Sequence, residues 1–243
     1  MKKWIIAAAL VSLAISAQAA EKIRFAASAT YPPFESLDQE NNLVGFDIDL
    51  AKALCQQMKA ECSFTNNAFD SLIPSLKFRR YDAVISGMDI TAERRKQVDF
   101  TQPYYANSAI VIAPKDKFSS FADLKGKRIG VENGTTHQKY LQDKHPEVKV
   151  VAYDSYQNAI LDMKSGRLDG VFGDSAVVNQ WLKSNPELAT VGDHVTDADY
   201  FGTGLGIAVR KGNTALLNEF NQALAELKTS GRWQQLNQKW FPE

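Results

Sequence analysis

Short apolar runs alternate with stretches in which apolar residues recur every three or four positions. "KIRFAAS" reads as a strand, whereas "GFDIDLAKALCQQM" has apolar residues at 46, 48, 50, 51, 54 and 58, one face of a helix. "SLIPSLKF" continues as a second helix, with Pro74 early enough to be tolerated and Asp70 as candidate N-cap. "YDAVISG" is the next strand. Strands alternating with helices in this way predict an α/β fold.

The second half repeats the order: strand "KRIGVENG", helix "TTHQKYLQD", strand "VKVVAY", helix "YQNAILDMKSG". "RLDGVFGD" then aligns with "RYDAVISG", pairing Arg80 with Arg167, Asp82 with Asp169 and Val84 with Val171. An internal repeat of this kind predicts two similar lobes. "SAIVIAPK" and "TGLGIAVRK" are the expected crossings between them, leaving a hinged cleft. The closing stretch predicts two helices, separated at Gly231, that return to the first lobe. The expected division is residues 20–109 with 204–243 as one lobe and 110–203 as the other, with hinge crossings near 108–113 and 202–208.

The start of the chain falls outside this pattern. Lys2 and Lys3, a short apolar run and Ala17-Gln18-Ala19 make a signal peptide over residues 1–19 with an A-x-A cleavage site. No later segment approaches the roughly 18 apolar residues of a membrane span, so a soluble exported protein is expected. Without Lys2 and Lys3, 26 basic residues face 28 acidic ones, a net charge of about −2 that argues against general nucleic-acid binding. Export makes a disulfide the expected state of the only cysteines, Cys55 and Cys62. Two cysteines without a nearby histidine are too few for a structural zinc site.

Ligands of open α/β sheets bind beyond the carboxyl ends of the strands. "SATYPPFES" puts Tyr31 at one such end and "TNNAFDSL" puts Phe69 at another, candidate walls around a ligand side chain. In "SGMDITAERRKQ", Arg94 and Arg95 enter the first turn of a helix starting at Thr91, where acids are the rule. A ligand carboxylate held by Ser86, Gly87 and Arg94 would supply the missing negative charge. Arg95 is expected in solvent. "ENGTT" opens a helix at Thr135 and Thr136, and "FGDSAVV" places Asp174 between strand and helix. Asp174 is an N-cap on the plain reading and, with Asp89, an ammonium acceptor on the functional one.

Carboxylate, ammonium and stacked side chain describe an amino acid. "ATYPPFES", "GFDIDLAKALC", "FDSLIPSLK", "LKGKRIGVENGTTHQKY" and "WFP" make the whole chain resemble the polar amino-acid-binding proteins of bacterial ABC importers, most of all those for arginine. The resemblance implies a two-lobed type II periplasmic-binding-protein fold closing by hinge motion. It implies a periplasmic monomer that hands L-arginine or a related basic amino acid to an inner-membrane permease, with no cofactor and no metal. It implies side-chain stacking by Tyr31 and Phe69, carboxylate binding by Ser86, Gly87, Arg94 and Thr136, and ammonium binding by Asp174 with Asp89 nearby. Ser28 stands where relatives for basic ligands carry an acid. Glu132, where those relatives are apolar, is the expected guanidinium acceptor from across the cleft. Gln138 and Glu35 are not separable from surface residues in the sequence.

The rivals are a carrier for lysine, ornithine, histidine or glutamine and, more remotely, a dehydratase-like enzyme on this fold. His137, His145 and His194 are scattered, with His137 expected on a helix surface, and there is no G-x-S-x-G elbow. The expectation is therefore a binding protein and not an enzyme.

Overall fold

The computed structural model describes residues 21–242; the expected signal peptide lies outside the described residues. The first half runs β1 (Lys22–Ala27), β2 (Thr30–Tyr31), β3 (Glu35–Leu37), β4 (Leu43–Val44), α1 (Phe46–Met58), β5 (Glu61–Asn66), α2 (Phe69–Lys77), β6 (Ala83–Val84), α3 (Ala92–Arg95) and β7 (Val98–Phe100). Next come β8 (Ala109–Pro114), a 3-10 turn (Phe121–Leu124), β9 (Arg128–Glu132), α4 (Thr136–Lys144), β10 (Lys149–Tyr153), α5 (Tyr156–Lys164), β11 (Gly170–Asp174), α6 (Ser175–Ser184) and β12 (Leu188–Val195). The chain closes with β13 (Ala208–Arg210), α7 (Thr214–Thr229) and α8 (Arg232–Trp240).

Two five-stranded sheets result, ordered β5-β1-β6-β13-β7 and β10-β9-β11-β8-β12, with a small third sheet β2-β3-β4. In the first, β1 pairs in parallel with β5 and β6; in the second, β9 does so with β10 and β11. An antiparallel strand then joins each trio, β13 beside β6 and β8 beside β11. This is the expected α/β, two-lobed arrangement. The chain leaves the first sheet between Phe100 and Ala109 and returns between Val195 and Ala208.

The repeated aspartates have a common structural reason. Asp82 accepts the backbone N–H and Nε of Arg24 on β1, at 3.1 and 3.0 Å. Asp169 accepts the same two groups of Arg128 on β9, at 2.9 and 3.2 Å. Each carboxylate ties the start of a central strand to its parallel neighbour and fixes the register. Cys55 and Cys62 form the expected disulfide between the last turn of α1 and β5.

The carboxyl-terminal helices pack on the first lobe. α7 buries Leu216, Phe220, Leu224 and Leu227, and Gly231 separates it from α8 with φ 78°, a conformation favourable to glycine. Trp233 Nε1 donates to the Tyr104 carbonyl at 2.9 Å, and Phe241 lies 5.0 and 5.6 Å from the rings of Phe34 and Phe46. The "WFP" ending thus anchors the helix pair to the aromatic cluster beneath the first strand's loop.

Two local expectations are corrected. Ala68 is the N-cap of α2, and Asp70 lies in its first turn. Helix α3 is a single turn, so Arg94 and Arg95 lie in its last turn as well as its first. The macrodipole gives them no disadvantage there. What sets Arg94 apart is burial, at 8% exposure, while Arg95 is exposed as expected.

Candidate functional site

Four strand ends meet where the two lobes face each other. β1 runs out into Ser28, β6 into Ser86 and Gly87, β9 ends on Glu132 and β11 on Asp174. Ser28, Thr30, Tyr31, Glu35, Phe69, Gly87, Asp89, Glu132, Thr136, His137, Tyr156 and Asp174 are among the residues enclosing one cavity between them. Arg94 lines an open groove that adjoins it through Phe69, Thr135 and Thr136.

Asp174 holds the N-cap position of α6, yet its side chain makes no capping bond. Its Oδ1 accepts Asn107 Nδ2 at 2.7 Å, and the same amide donates to Asp89 Oδ1 at 2.6 Å. One amide thus spends both protons on two carboxylates of opposite lobes. Thr136 Oγ1 donates to Asp89 Oδ2 at 2.6 Å. Burial and the nearby Asp174 charge push Asp89 up to about 7, against the opposing pull of His137 and Arg94.

Arg94 is held by its own surroundings. Its Nη1 donates to the Asp89 carbonyl at 2.9 Å and its Nη2 to the Gly134 carbonyl at 3.3 Å. The guanidinium lies 5.4 Å from the centre of the Phe69 ring. Tyr31 stacks on Tyr156, centroids 5.0 Å apart, and its hydroxyl accepts the Asp174 backbone N–H at 2.9 Å. Glu132, 3% exposed, accepts Thr30 Oγ1 at 2.9 Å from the opposite lobe. Burial raises it to about 7, with hydrogen bonds from Thr30 and Ser28 working the other way.

Behind this wall is a feature absent from the sequence reading. Glu35 is 1% exposed, so it is no surface residue, and it accepts the Ser86 hydroxyl at 2.8 Å. Asp47, in the first turn of α1, accepts the Gly87 N–H and the Tyr104 hydroxyl, both at 2.8 Å. Glu35 Oε2 and Asp47 Oδ1 are buried without a hydrogen-bond partner, and each carboxyl group acts on the other's titration. Burial, reinforced on Glu35 by the Asp47 charge, drives the pair above the ordinary carboxylate range, as expected for acids sharing a proton. The Ser86 and Gly87 donors, expected on a ligand carboxylate, are directed at these buried acids instead, which makes the two residues the fixed floor of the site.

That pair sets a pH dependence. Both acids are raised on folding, so their contribution favours the folded chain at low pH and is lost as pH climbs from the unfolded carboxylate range through neutrality. Glu35→Gln keeps a donor for Asp47 and an acceptor for Ser86 without the proton. Its melting temperature relative to the parent should rise by about 2–4 °C between pH 5 and pH 8, for a gain of about 1 kcal/mol. A difference that stays flat across thermal melts in that range refutes the shared proton.

One further residue has no signal in the sequence, and one expectation is corrected. Asn107 sits in the segment joining the lobes and had no pattern to mark it. His137 is not on a helix surface: it is 2% exposed, with Nε2 3.0 Å from Asp174 Oδ1 and Nδ1 3.1 Å from the Tyr156 hydroxyl. The first of these contacts is charge proximity without hydrogen-bond alignment. Gln138 is not at the cavity; its side chain accepts the Gly134 N–H at 2.9 Å. Among the described residues no cluster of histidine, cysteine and acids could hold a metal ion.

This architecture has known counterparts. The chain is 69% identical over 243 residues, all of both chains, to the Escherichia coli K12 "ABC transporter arginine-binding protein 1". It is 45% identical over 241 residues, 99% of both chains, to the "Arginine-binding periplasmic protein" of Mannheimia haemolytica. A solved Salmonella typhimurium periplasmic binding protein, described for its high arginine specificity, superposes with a TM-score of 0.88 at 56% identity, covering 91% of this chain and all of that one. The family description "Bacterial extracellular solute-binding proteins, family 3" matches residues 23–243, and the chain belongs to that family.

Proposed function

We propose that the chain captures L-arginine in the periplasm and delivers it to an ABC-type permease of the inner membrane, acting as a monomer. Residues 20–109 with 204–243 and residues 110–203 are the two bodies that close, about crossings near 108–113 and 202–208. The observation that carries the reading is the charge of the enclosed cavity. Asp89, Asp174 and Glu132 are each no more than 3% exposed, and among the described residues Arg94 is the one guanidinium beside them. Buried acids need compensation, and a ligand of net charge +1 supplies it where a neutral one does not.

In this reading Arg94 and Thr136, standing on the Ser86–Gly87 floor, receive the α-carboxylate. Asp89 and Asp174, already joined through Asn107, receive the α-ammonium. The aliphatic stem lies against Tyr31 and Phe69, and Glu132 with Ser28 and Thr30 accepts the guanidinium. Each acid has a partner in the bound amino acid, which is capture without turnover.

Calorimetric titration of refolded, ligand-stripped mature protein with arginine, lysine, ornithine, histidine and glutamine tests this. Arginine should bind at least about tenfold more tightly than the other four, about 1.4 kcal/mol. Glutamine or histidine in first place overturns the charge argument while keeping a carrier, and no heat from any of the five overturns the amino-acid reading.

A further inference from the structure

The rim of the cleft carries a contact that none of the binding residues explains. Asp70, displaced from the N-cap position it was expected to fill, accepts Asn133 Nδ2 with its Oδ2 at 2.8 Å. Asp70 is on α2 of the first lobe and Asn133 follows β9 of the second, so the bond spans the opening. Next to it the backbone itself closes up. A Cβ on Gly134 would lie 2.9 Å from Asp70 Cβ and 3.0 Å from its Cα, and Gly134 has φ 77°. The turn is pinned from both sides: Gln138 takes the Gly134 N–H, and Arg94 donates to its carbonyl.

We propose that Asp70, Asn133 and Gly134 form a clasp that sets how long the closed protein holds its ligand, without taking part in choosing that ligand. It rests on the reading of the cleft as an amino-acid site. Asp70 and Asn133 do not line the enclosed cavity and are exposed, so they are positioning residues. A contact made only in the closed arrangement favours it alike for ligands of the same charge; the Asp70 carboxylate adds to the negative field at Glu132, which arginine, lysine and ornithine all meet with a distal cation. Opening must break the clasp before release, whereas capture by the open form precedes it, so the effect falls on the dissociation rate. The bond is in solvent, where one hydrogen bond contributes modestly.

The test is stopped-flow release of arginine followed by tryptophan fluorescence, with titrations of arginine, lysine and ornithine alongside. Asp70→Ala and Asn133→Ala should each raise the dissociation rate about three- to fivefold, leave the association rate within about twofold, and keep the order of the three ligands. The reciprocal pair Asp70→Asn with Asn133→Asp restores the bond with donor and acceptor exchanged, and should return release toward the parental rate. Gly134→Ala, which pushes a methyl group into Asp70, should speed release at least as much as either truncation. Parental release rates in the truncations, or a changed ligand order, overturn the clasp. The parent's own arginine titration keeps this outcome distinct from failure of the arginine reading.

Discussion

Arg94→Ala should weaken arginine binding by at least about a hundredfold in calorimetry, the largest single effect in the site. The ligand carboxylate would remain buried without its cation, and uncompensated buried charge typically costs about 3–5 kcal/mol. The loss is compounded by the neighbouring acids. Arg94 is 8% exposed, its Nη1 orders the Asp89 carbonyl, and its charge opposes the rise of Asp89 toward neutrality. Arg94→Lys keeps the charge but cannot offer two parallel donors, so it should recover only part of the affinity. Because the side chain lines the edge of the site and not a hydrophobic core, both variants should keep the fold and the disulfide. An Arg94→Ala protein that binds arginine within fivefold of the parent removes this residue from the carboxylate site.

Glu132→Gln should weaken arginine about fiftyfold, for the loss of one charge-assisted contact of about 2–3 kcal/mol, and should barely affect citrulline. Citrulline has the same stem with a neutral ureido end, so the ratio of the two affinities isolates the contribution of charge at that end. A second readout follows from the titration of Glu132. Burial raises the acid to about 7, and a guanidinium beside it favours the ionised form. Arginine binding therefore expels a proton wherever the unliganded acid is still protonated. Affinity should climb between about pH 5 and pH 8 and then level off. In the Gln variant part of this slope disappears; the remainder belongs to Asp89, raised in the same direction. Normal arginine affinity in Glu132→Gln, or an unchanged arginine-to-citrulline ratio, would move the guanidinium elsewhere.

Much of the candidate site is legible in the sequence because it is built on strand ends. Ser28, Ser86, Glu132 and Asp174 each follow or terminate a strand that hydrophobic alternation reveals, and parallel strands bring their carboxyl ends to one edge. The repeat was legible for a similar reason. Asp82 and Asp169 do the same job at the start of β1 and β9, so the same residue type recurs at the same distance from each strand. The cysteine pair needed only short separation and the expectation of export.

The tertiary structure adds contacts between positions with no common period. Asn107 and Asp174 are 67 residues apart, Asp47 and Gly87 are 40 apart, and Asp70 and Asn133 are 63 apart. Asp70 illustrates the difference most plainly. Local chemistry ranks an aspartate there as a cap, because a cap depends only on its own helix. Whether the carboxylate turns to the helix or across the cleft depends on where the second lobe places Asn133, which no window around residue 70 contains. His137 departs from its expected helix surface for the same reason: helical periodicity reports which side of α4 it occupies, not that Asp174 and Tyr156 cover that side. Periodicity carries one-dimensional information about faces, and that decided the fold, the strand ends and the position of the cleft. Pairing of acids, burial of the histidine and the clasp are decided by hydrogen-bond geometry between lobes, which exists only once both have been assembled.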